Sequence, residues 1–303
     1  MKAAIDIGTN TVLLLIAEIE AGQIRVIREE HRSPRLGQGV DGDRNINKEA
    51  TERVVQALKD YRQILDDEYP GVKDAIVTAT SAVRDANNCE DFIQVVKVET
   101  CFDIRLLSGR EEAEWTAAGA LSVLPISDEK RVMILDIGGG STEVAHLQDG
   151  RITDGYSFDM GSVRFTERFL SSNPPTVPEI EVCREAVSNL YDSHTFEYSE
   201  SVKAVGVAGT LTTLAGMALN LSSYEPEKIN GFSITDEIIE HAIKQFKAHT
   251  YEVMLEKHPL YLKGRADIFM AGLLILEGFM KKFEVSEIEV STGGIRHGAI
   301  LKA

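Results

Sequence analysis

The chain has 303 residues, 43% of them hydrophobic and 26% charged, enough for two domains whose cores need no staples. Its formal net charge of −16 excludes a general nucleic-acid binder, because gripping a phosphate backbone depends on Lys and Arg displacing counterions. Cys89, Cys101 and Cys183 are too few and too scattered for a disulfide framework or a thiolate metal site. No apolar run approaches the ~20 residues of a membrane helix, and Met1-Lys2-Ala3-Ala4-Ile5-Asp6 lacks a signal-peptide layout, so a cytoplasmic protein with no membrane partner is expected.

The first elements are a strand over residues 2–7, the turn Gly8-Thr9-Asn10-Thr11, and strands over 12–19 and 23–29 about an Ala21-Gly22 turn. Residues 47–69 place Val54, Val55, Leu58, Tyr61, Ile64 and Leu65 at helical spacing, so one apolar face packs on a sheet. A buried strand over 75–80, a helix over 91–100, a strand over 104–107 and a helix over 111–123 follow. Pro125-Ile126-Ser127-Asp128-Glu129 reads as a linker, which divides the chain into domains at 1–124 and 125–303, the last helix being free to pack back on the first.

Beyond the linker the opening plan recurs. An apolar strand over 131–136 delivers Asp136 towards Gly138-Gly139-Gly140-Ser141, a second strand covers 142–147, and Asp149-Gly150 turns the chain into a third over 151–158. Residues 171–178 form a Pro-rich surface loop, and 202–207 a strand that enters a glycine turn at Gly209. Helices cover 211–219, 236–247 and 263–283, with 268–276 as core, and a last strand over 287–291 enters Gly293-Gly294. Helices following strands indicate an α/β fold. The two Asp-Ile-Gly turns, 130 residues apart, indicate a duplicated nucleotide- or phosphate-binding unit whose halves face each other across a cleft.

The turns carry the chemistry. Gly8 and Gly138, Gly139 and Gly140 let backbone N–H groups approach an anion, and Thr9, Thr11, Ser141 and Thr142 add hydroxyl donors. Asp6 and Asp136 would repel phosphate, so their natural partner is a hard cation such as Mg²⁺, held by one or two carboxylates and by phosphate oxygens. Exposed charges are screened over about 8 Å, so Arg84, Arg110, Arg164 and Arg296, each beside such a turn or an acidic motif, could form a local cluster that outweighs the acidic excess.

Ser108 and Glu111 match a capping box at the start of the 111–123 helix, which leaves Glu112 as the second carboxylate of that helix start. Glu112 is either an ordinary first-turn acidic residue or a base able to take a proton from water aligned on phosphorus. Arg84 either reaches an anionic substrate or pairs with Asp85 or another carboxylate. Gly209 and Thr210 precede a helix, an arrangement that favours anions. His297 has no second His at ligand spacing and reads as a structural or solvent-facing residue.

Residues 6–11, 79–87, 108–112, 136–143, 206–213, 265–267 and 293–298, in that order, make the chain resemble the exopolyphosphatase and guanosine pentaphosphate phosphohydrolase family of the actin-like, sugar-kinase and heat-shock-ATPase superfamily. The resemblance implies two ribonuclease-H-like domains with mixed sheets flanked by helices and an active site in the cleft between them. It implies that Glu112 is the general base, that Asp136 is linked to Mg²⁺ with Glu143 and Asp6 nearby, and that Mn²⁺ can substitute and a monovalent cation can assist. Gly8, Thr9, Asn10 and Thr11 would form one phosphate loop and Gly138, Gly139, Gly140 and Ser141 the other, with Arg84, Gly209 and Thr210 as further phosphate contacts.

The implied activity is release of terminal orthophosphate from polyphosphate, with guanosine pentaphosphate as the alternative substrate, by a homodimer that binds no nucleic acid. Thr9 and Thr11 stand where the family often has serines, which keeps the hydroxyls. The chain stops at Ala303, without the helical C-terminal domains of long members, which implies a preference for shorter polyphosphate. Two rival readings are an ATP-dependent kinase of the same superfold, using residues 206–213 for adenine nucleotide, and a sensor that binds guanosine polyphosphates without hydrolysing them. A pure sensor has no need of Glu112.

Overall fold

The computed structural model describes residues 1–20, 23–124, 131–196 and 203–302. The turn expected at Ala21-Gly22 and the linker expected at 125–129 lie outside the described residues. The chain forms two compact units, one of Met1–Val123 with Gly293–Ala303 and the other of Leu124–Thr292. The last helix therefore belongs to the first unit, the alternative that the division at residue 125 left open. Among the described residues no helix is long and apolar enough to cross a membrane.

In the first unit a sheet runs β3-β2-β1-β4-β5, built from β1 (Lys2–Ile7), β2 (Val12–Glu20), β3 (Gln23–Arg32), β4 (Ala75–Ala79) and β5 (Ile104–Leu106). β1, β2 and β3 form an antiparallel meander, and β4 and β5 join parallel to β1. Successive side chains of a strand point to opposite faces, and β1 and β2 are apolar on both. Ile5, Ile7, Val12, Leu14 and Ile16 pack on one side with Val54, Leu58 and Tyr61 of α1 (Lys48–Glu68). Ala4, Leu15 and Ala17 pack on the other with Trp115 of α3 (Gly109–Val123) and with Ile295 and Ala299. The predicted apolar stripe of α1 does its work here: Asn47 caps the helix by accepting from the Ala50 N–H (2.7 Å), and the Tyr61 hydroxyl donates to Val12 O (2.8 Å). The remaining helix of this layer, α2 (Cys89–Thr100), starts two residues before its expected position.

The second unit repeats the plan. Its sheet runs β10-β11-β9-β6-β7-β8, with β6 (Arg131–Ile137), β7 (Thr142–Gln148) and β8 (Arg151–Phe158) as the meander. β9 (Lys203–Val207) and β11 (Glu287–Val290) join in parallel, and the short β10 (Ser233–Thr235) closes the edge antiparallel to β11. The longer helices of this unit are α4 (Ser162–Phe169), α5 (Val177–Asp192), α6 (Ala208–Ala218), α7 (Asp236–Ala248) and α8 (Phe269–Lys282). β6 and α8 are almost wholly buried, as continuous apolar runs covered on both sides should be.

Three differences from the expected elements have local causes. The helix expected over 263–283 starts only at Phe269, because Gly264 takes a left-handed conformation (φ 77°) that a continuous helix cannot include. α4 lies where no element was expected, and α5 starts inside the loop expected over 171–178 and runs on beyond it. For α5 the signal is in the sequence: Thr176 and Glu179 form a capping box around Pro178, with the Glu179 carboxylate accepting from the Thr176 N–H at 2.7 Å. α4 has no side-chain cap; its start is fixed by contacts described below.

The final helix, α9 (Ile295–Lys302), crosses α3 so closely that a Cβ on Gly119 would overlap the Gly294 carbonyl and one on Gly298 the Trp115 carbonyl. The Gly293-Gly294 turn thus serves a helix crossing. Arg296 donates to Leu14 O (3.1 Å) and pairs with Glu29 (3.1 Å), so it is committed to this packing and leaves the expected anion-binding cluster. His297 is buried, and its Nδ1 has no hydrogen-bond partner among the described residues; burial, helped by Arg296, pulls its pKa down from 6.5 to about 3.

Two expectations follow from this crossing. Gly119→Ala should lower the stability of the protein by roughly 1–3 kcal/mol or more through overpacking, read as a drop in the thermal midpoint. For His297, the unfolded chain takes up a proton below pH 6.5 while the folded one does not until about pH 3, so its contribution is intact above 6.5 and is lost as the pH falls through that window. Urea unfolding at about pH 7 and about pH 5.5 should show the native protein losing about 1 kcal/mol more than His297→Gln.

Candidate functional site

In the first unit the turn after β1 is closed by the Gly8 N–H donating to Thr11 O (2.9 Å). Its two middle carbonyls are tied from behind: Thr9 O accepts from the Gly37 N–H (2.8 Å) and Asn10 O from the Arg35 N–H (3.0 Å). Arg35 adopts the left-handed conformation (φ 54°), and a Cβ on Gly37 would overlap the Thr9 methyl. A peptide unit is planar and trans, so a carbonyl held on one side sends the following N–H to the other. The segment 35–37 therefore sets the direction of the Asn10 and Thr11 N–H groups, a role that sequence reasoning missed. The Arg-Leu-Gly run just after β3 was the available signal. The Thr9 hydroxyl lies 3.1 Å from Ser81 Oγ, both buried, which ties the turn to the segment after β4.

Two carboxylates of this unit matter. Asp6, on β1, accepts from the Thr78 hydroxyl (3.1 Å) of its parallel neighbour β4. Glu112 sits in the first turn of α3, only 5% exposed. The expected capping box forms: Glu111 accepts from the Ser108 N–H (3.0 Å) and hydroxyl (2.9 Å). These bonds, the Ser108 N–H foremost and then Arg105, pull the Glu111 pKa down to about 2. Glu112 is turned inward instead, and Arg84 Nη1 bridges Glu112 Oε2 (3.1 Å) and Leu107 O (2.9 Å). Of the two readings left open for Arg84, pairing with a carboxylate is the one found, and the partner is Glu112 rather than Asp85.

In the second unit the turn after β6 is built alike, with the Gly138 N–H donating to Ser141 O (3.0 Å). Here the start of α4 ties back the carbonyls. The N–H groups of Ser162 and Val163 donate to Gly138 O (3.0 Å) and Gly139 O (2.8 Å), and Arg164 Nε donates to Gly140 O (2.6 Å). A Cβ on Gly161 would stand 2.5 Å from the Gly139 carbonyl, so only glycine permits this approach. Arg164 is buried, so it leaves the proposed surface cluster of arginines and becomes part of the turn's support. Arg110, paired with Glu114 (3.1 Å), stays on the surface of α3.

Asp136 on β6 and Glu143 on β7 are direct cross-strand partners, 7% and 2% exposed. Ser157 on β8 pairs with Glu143 in register, and its hydroxyl donates to Glu143 Oε1 (2.6 Å). Directly opposed side chains have Cβ atoms about 4.5–5.5 Å apart, where like charges are destabilising. Two buried carboxylates in that relation suit a hard cation shared between them. Among the described residues no group of three or more His, Cys, Asp or Glu is placed to enclose a metal. The pair therefore fits Mg²⁺, which keeps waters and takes phosphate oxygens as its remaining ligands, better than a metal that needs a full protein cage. In the first unit the position opposite Asp6 is Leu13, so no such pair exists there.

Gly209 and Thr210, expected as further phosphate contacts, also take part in packing. Both lie within the first turn of α6, and it is Ala208 that takes the left-handed conformation (φ 69°). Gly209 O accepts from Arg265 Nη1 (2.8 Å), which also donates to Thr213 Oγ1 (2.9 Å). Thr210 is buried, with its hydroxyl packed over Gly272 of α8. Arg265 thus fills the space where a Cβ on Gly209 would stand, and the Thr210 side chain packs against Gly272.

Comparison with known proteins agrees with this architecture. The chain is 31% identical to exopolyphosphatase 2 of Mycobacterium tuberculosis over 99% of its own length and 97% of that protein, and 29% identical to a putative exopolyphosphatase of Haemophilus influenzae over 98% and 90%. Among solved structures, a Ppx/GppA member from Aquifex aeolicus superposes with a TM-score of 0.82 at 29% identity, covering 99% of this chain and 96% of that one. An exopolyphosphatase from Cytophaga hutchinsonii does so with a TM-score of 0.89 at 27% identity, covering 99% and 97%. The model of the Ppx/GppA phosphatase family matches residues 15–303, and the chain belongs to that family.

Proposed function

We propose that the protein hydrolyses the terminal phosphoanhydride bond of inorganic polyphosphate and releases orthophosphate, with guanosine pentaphosphate as the alternative substrate. The observation that carries this reading is Glu112. A turn that only binds phosphate needs N–H donors and cations; it gains nothing from a buried carboxylate, which costs several kcal/mol to desolvate. Glu112 is nevertheless kept buried, aimed by Arg84, at a helix start in the unit that carries the first turn.

In the proposed reaction turn N–H groups hold the nonbridging oxygens. Mg²⁺, when bound by Asp136 and Glu143, would neutralise charge on those oxygens. Glu112 takes a proton from water as its oxygen bonds to the terminal phosphorus. The bridging P–O bond breaks in line, the shortened chain leaves with the bonding electron pair, and the proton passes from Glu112 to solvent. Arg84 holds the Glu112 carboxylate in one orientation and in this reading is a positioning residue before it is a substrate contact.

Phosphate release should be measured with Mg²⁺ from short polyphosphate, long polyphosphate, guanosine pentaphosphate and ATP side by side. Consumption of ATP alone, with its phosphate transferred to an added acceptor and no orthophosphate released, would point to a kinase and overturn the proposal. Glu112→Gln should still fold, seen as a cooperative thermal transition, yet lose about 100- to 10,000-fold in kcat. Glu143→Gln should raise the Mg²⁺ concentration needed for half-maximal phosphate release by about tenfold or more, whereas unchanged Mg²⁺ dependence would remove Glu143 from the metal site.

A further inference from the structure

The two turns occupy the same place in two repeated sheets, and each is supported by the segment that follows the third strand of its meander. In the first unit a backbone donor from that segment reaches the turn, Asn10 O receiving the Arg35 N–H. In the second, the equivalent carbonyl, Gly140 O, receives a side chain, Arg164 Nε at 2.6 Å. That distance is short for N–H···O and typical of a charge-assisted bond.

We propose that Arg164 is a positioning residue for the reaction: its guanidinium, by holding the Gly140 carbonyl, turns the Ser141 N–H towards the phosphate being transferred. This rests on the hydrolase reading above. Three successive carbonyls, those of Gly138, Gly139 and Gly140, are held from one side by Ser162, Val163 and Arg164. The N–H groups of the same three peptide units, those of Gly139, Gly140 and Ser141, must then point to the other side. No hydrogen bond from any of these three N–H groups to another part of the chain occurs among the described residues. Two of the three carbonyls are fixed by the backbone of α4, which no substitution removes. The third depends on one side chain. Arg164 is 5% exposed and close behind the turn, so it also places a fixed positive charge on the far side of the peptide whose N–H would meet the anion.

The test compares native protein with Arg164→Met, which keeps volume but cannot donate, and Arg164→Lys, which keeps one charged donor. Phosphate release from tripolyphosphate with Mg²⁺ gives kcat and KM, thermal unfolding reports folding, and the amide resonance of Ser141 in ¹⁵N-serine-labelled protein is followed as inorganic phosphate is added. A preorganised donor lost from a reacting oxyanion costs about 100-fold or more in kcat. Arg164→Met should show that loss mainly in kcat, with KM changed much less, and its Ser141 amide should no longer shift with phosphate. Arg164→Lys should recover about a tenth or more of native kcat. A folded Arg164→Met with near-native kcat would overturn the proposal, as would a loss of activity that only follows a lowered thermal midpoint while the Ser141 shift persists. Native protein that releases no phosphate from any phosphoanhydride would sink the hydrolase reading instead. The Ser141 amide would still decide the part played by Arg164: a shift lost in Arg164→Met supports it, and a shift retained overturns it.

Discussion

A backbone loop can offer N–H groups to an anion only if the carbonyls of the same peptide units are satisfied elsewhere. Each unit of this protein meets that constraint in the same position, immediately after the third strand of its meander. In the first, residues 35–37 donate backbone N–H groups to the carbonyls of Thr9 and Asn10; in the second, the start of α4 and the Arg164 side chain serve Gly138, Gly139 and Gly140. Helix starts leave N–H groups unpaired, and that of α4 spends three of them, those of Ser162, Val163 and Arg164, on a loop rather than on an anion. The usual inference from a helix N-terminus to an anion site would have misplaced the ligand here.

The glycines follow from the same constraint. Gly37 and Gly161 are required where a supporting segment presses against a turn, and neither need touch a ligand. Gly119 and Gly298 are required by a helix crossing that fastens the end of the chain to the first unit. A glycine beside a functional motif is thus evidence of close approach, and only the neighbouring backbone shows what is approaching.

What could be read from the sequence divides along the range of the interactions involved. The two turns, the meanders around them and the capping box of Ser108 and Glu111 rest on residues close in the chain, and each was legible there. The capping box also singled out Glu112 by elimination, since Glu111 was already employed. The box of Thr176 and Glu179 was equally local and shows that a Pro-rich stretch can hide a helix start. Contacts between distant segments were not legible. Nothing near Arg296 in the chain indicates Glu29, nothing near Thr210 indicates Gly272, and nothing near Arg84 distinguishes Glu112 from Asp85 as its partner.

The duplication also explains why one unit carries a carboxylate pair and the other does not. In both meanders the residue that faces the strand-end aspartate across the ladder is fixed by register: Leu13 opposite Asp6, Glu143 opposite Asp136. An apolar residue at that position costs nothing, whereas a second buried carboxylate opposes the first and must be offset. Ser157 offsets part of it with one hydrogen bond, which is neutral and cannot cancel a charge. The strand-end position of the second unit therefore carries two carboxylates where its counterpart in the first carries one. In the first unit the strand-end carboxylate accepts from Thr78 and a leucine stands opposite it, so the same turn plan ends its first strand on a different charge in the two units.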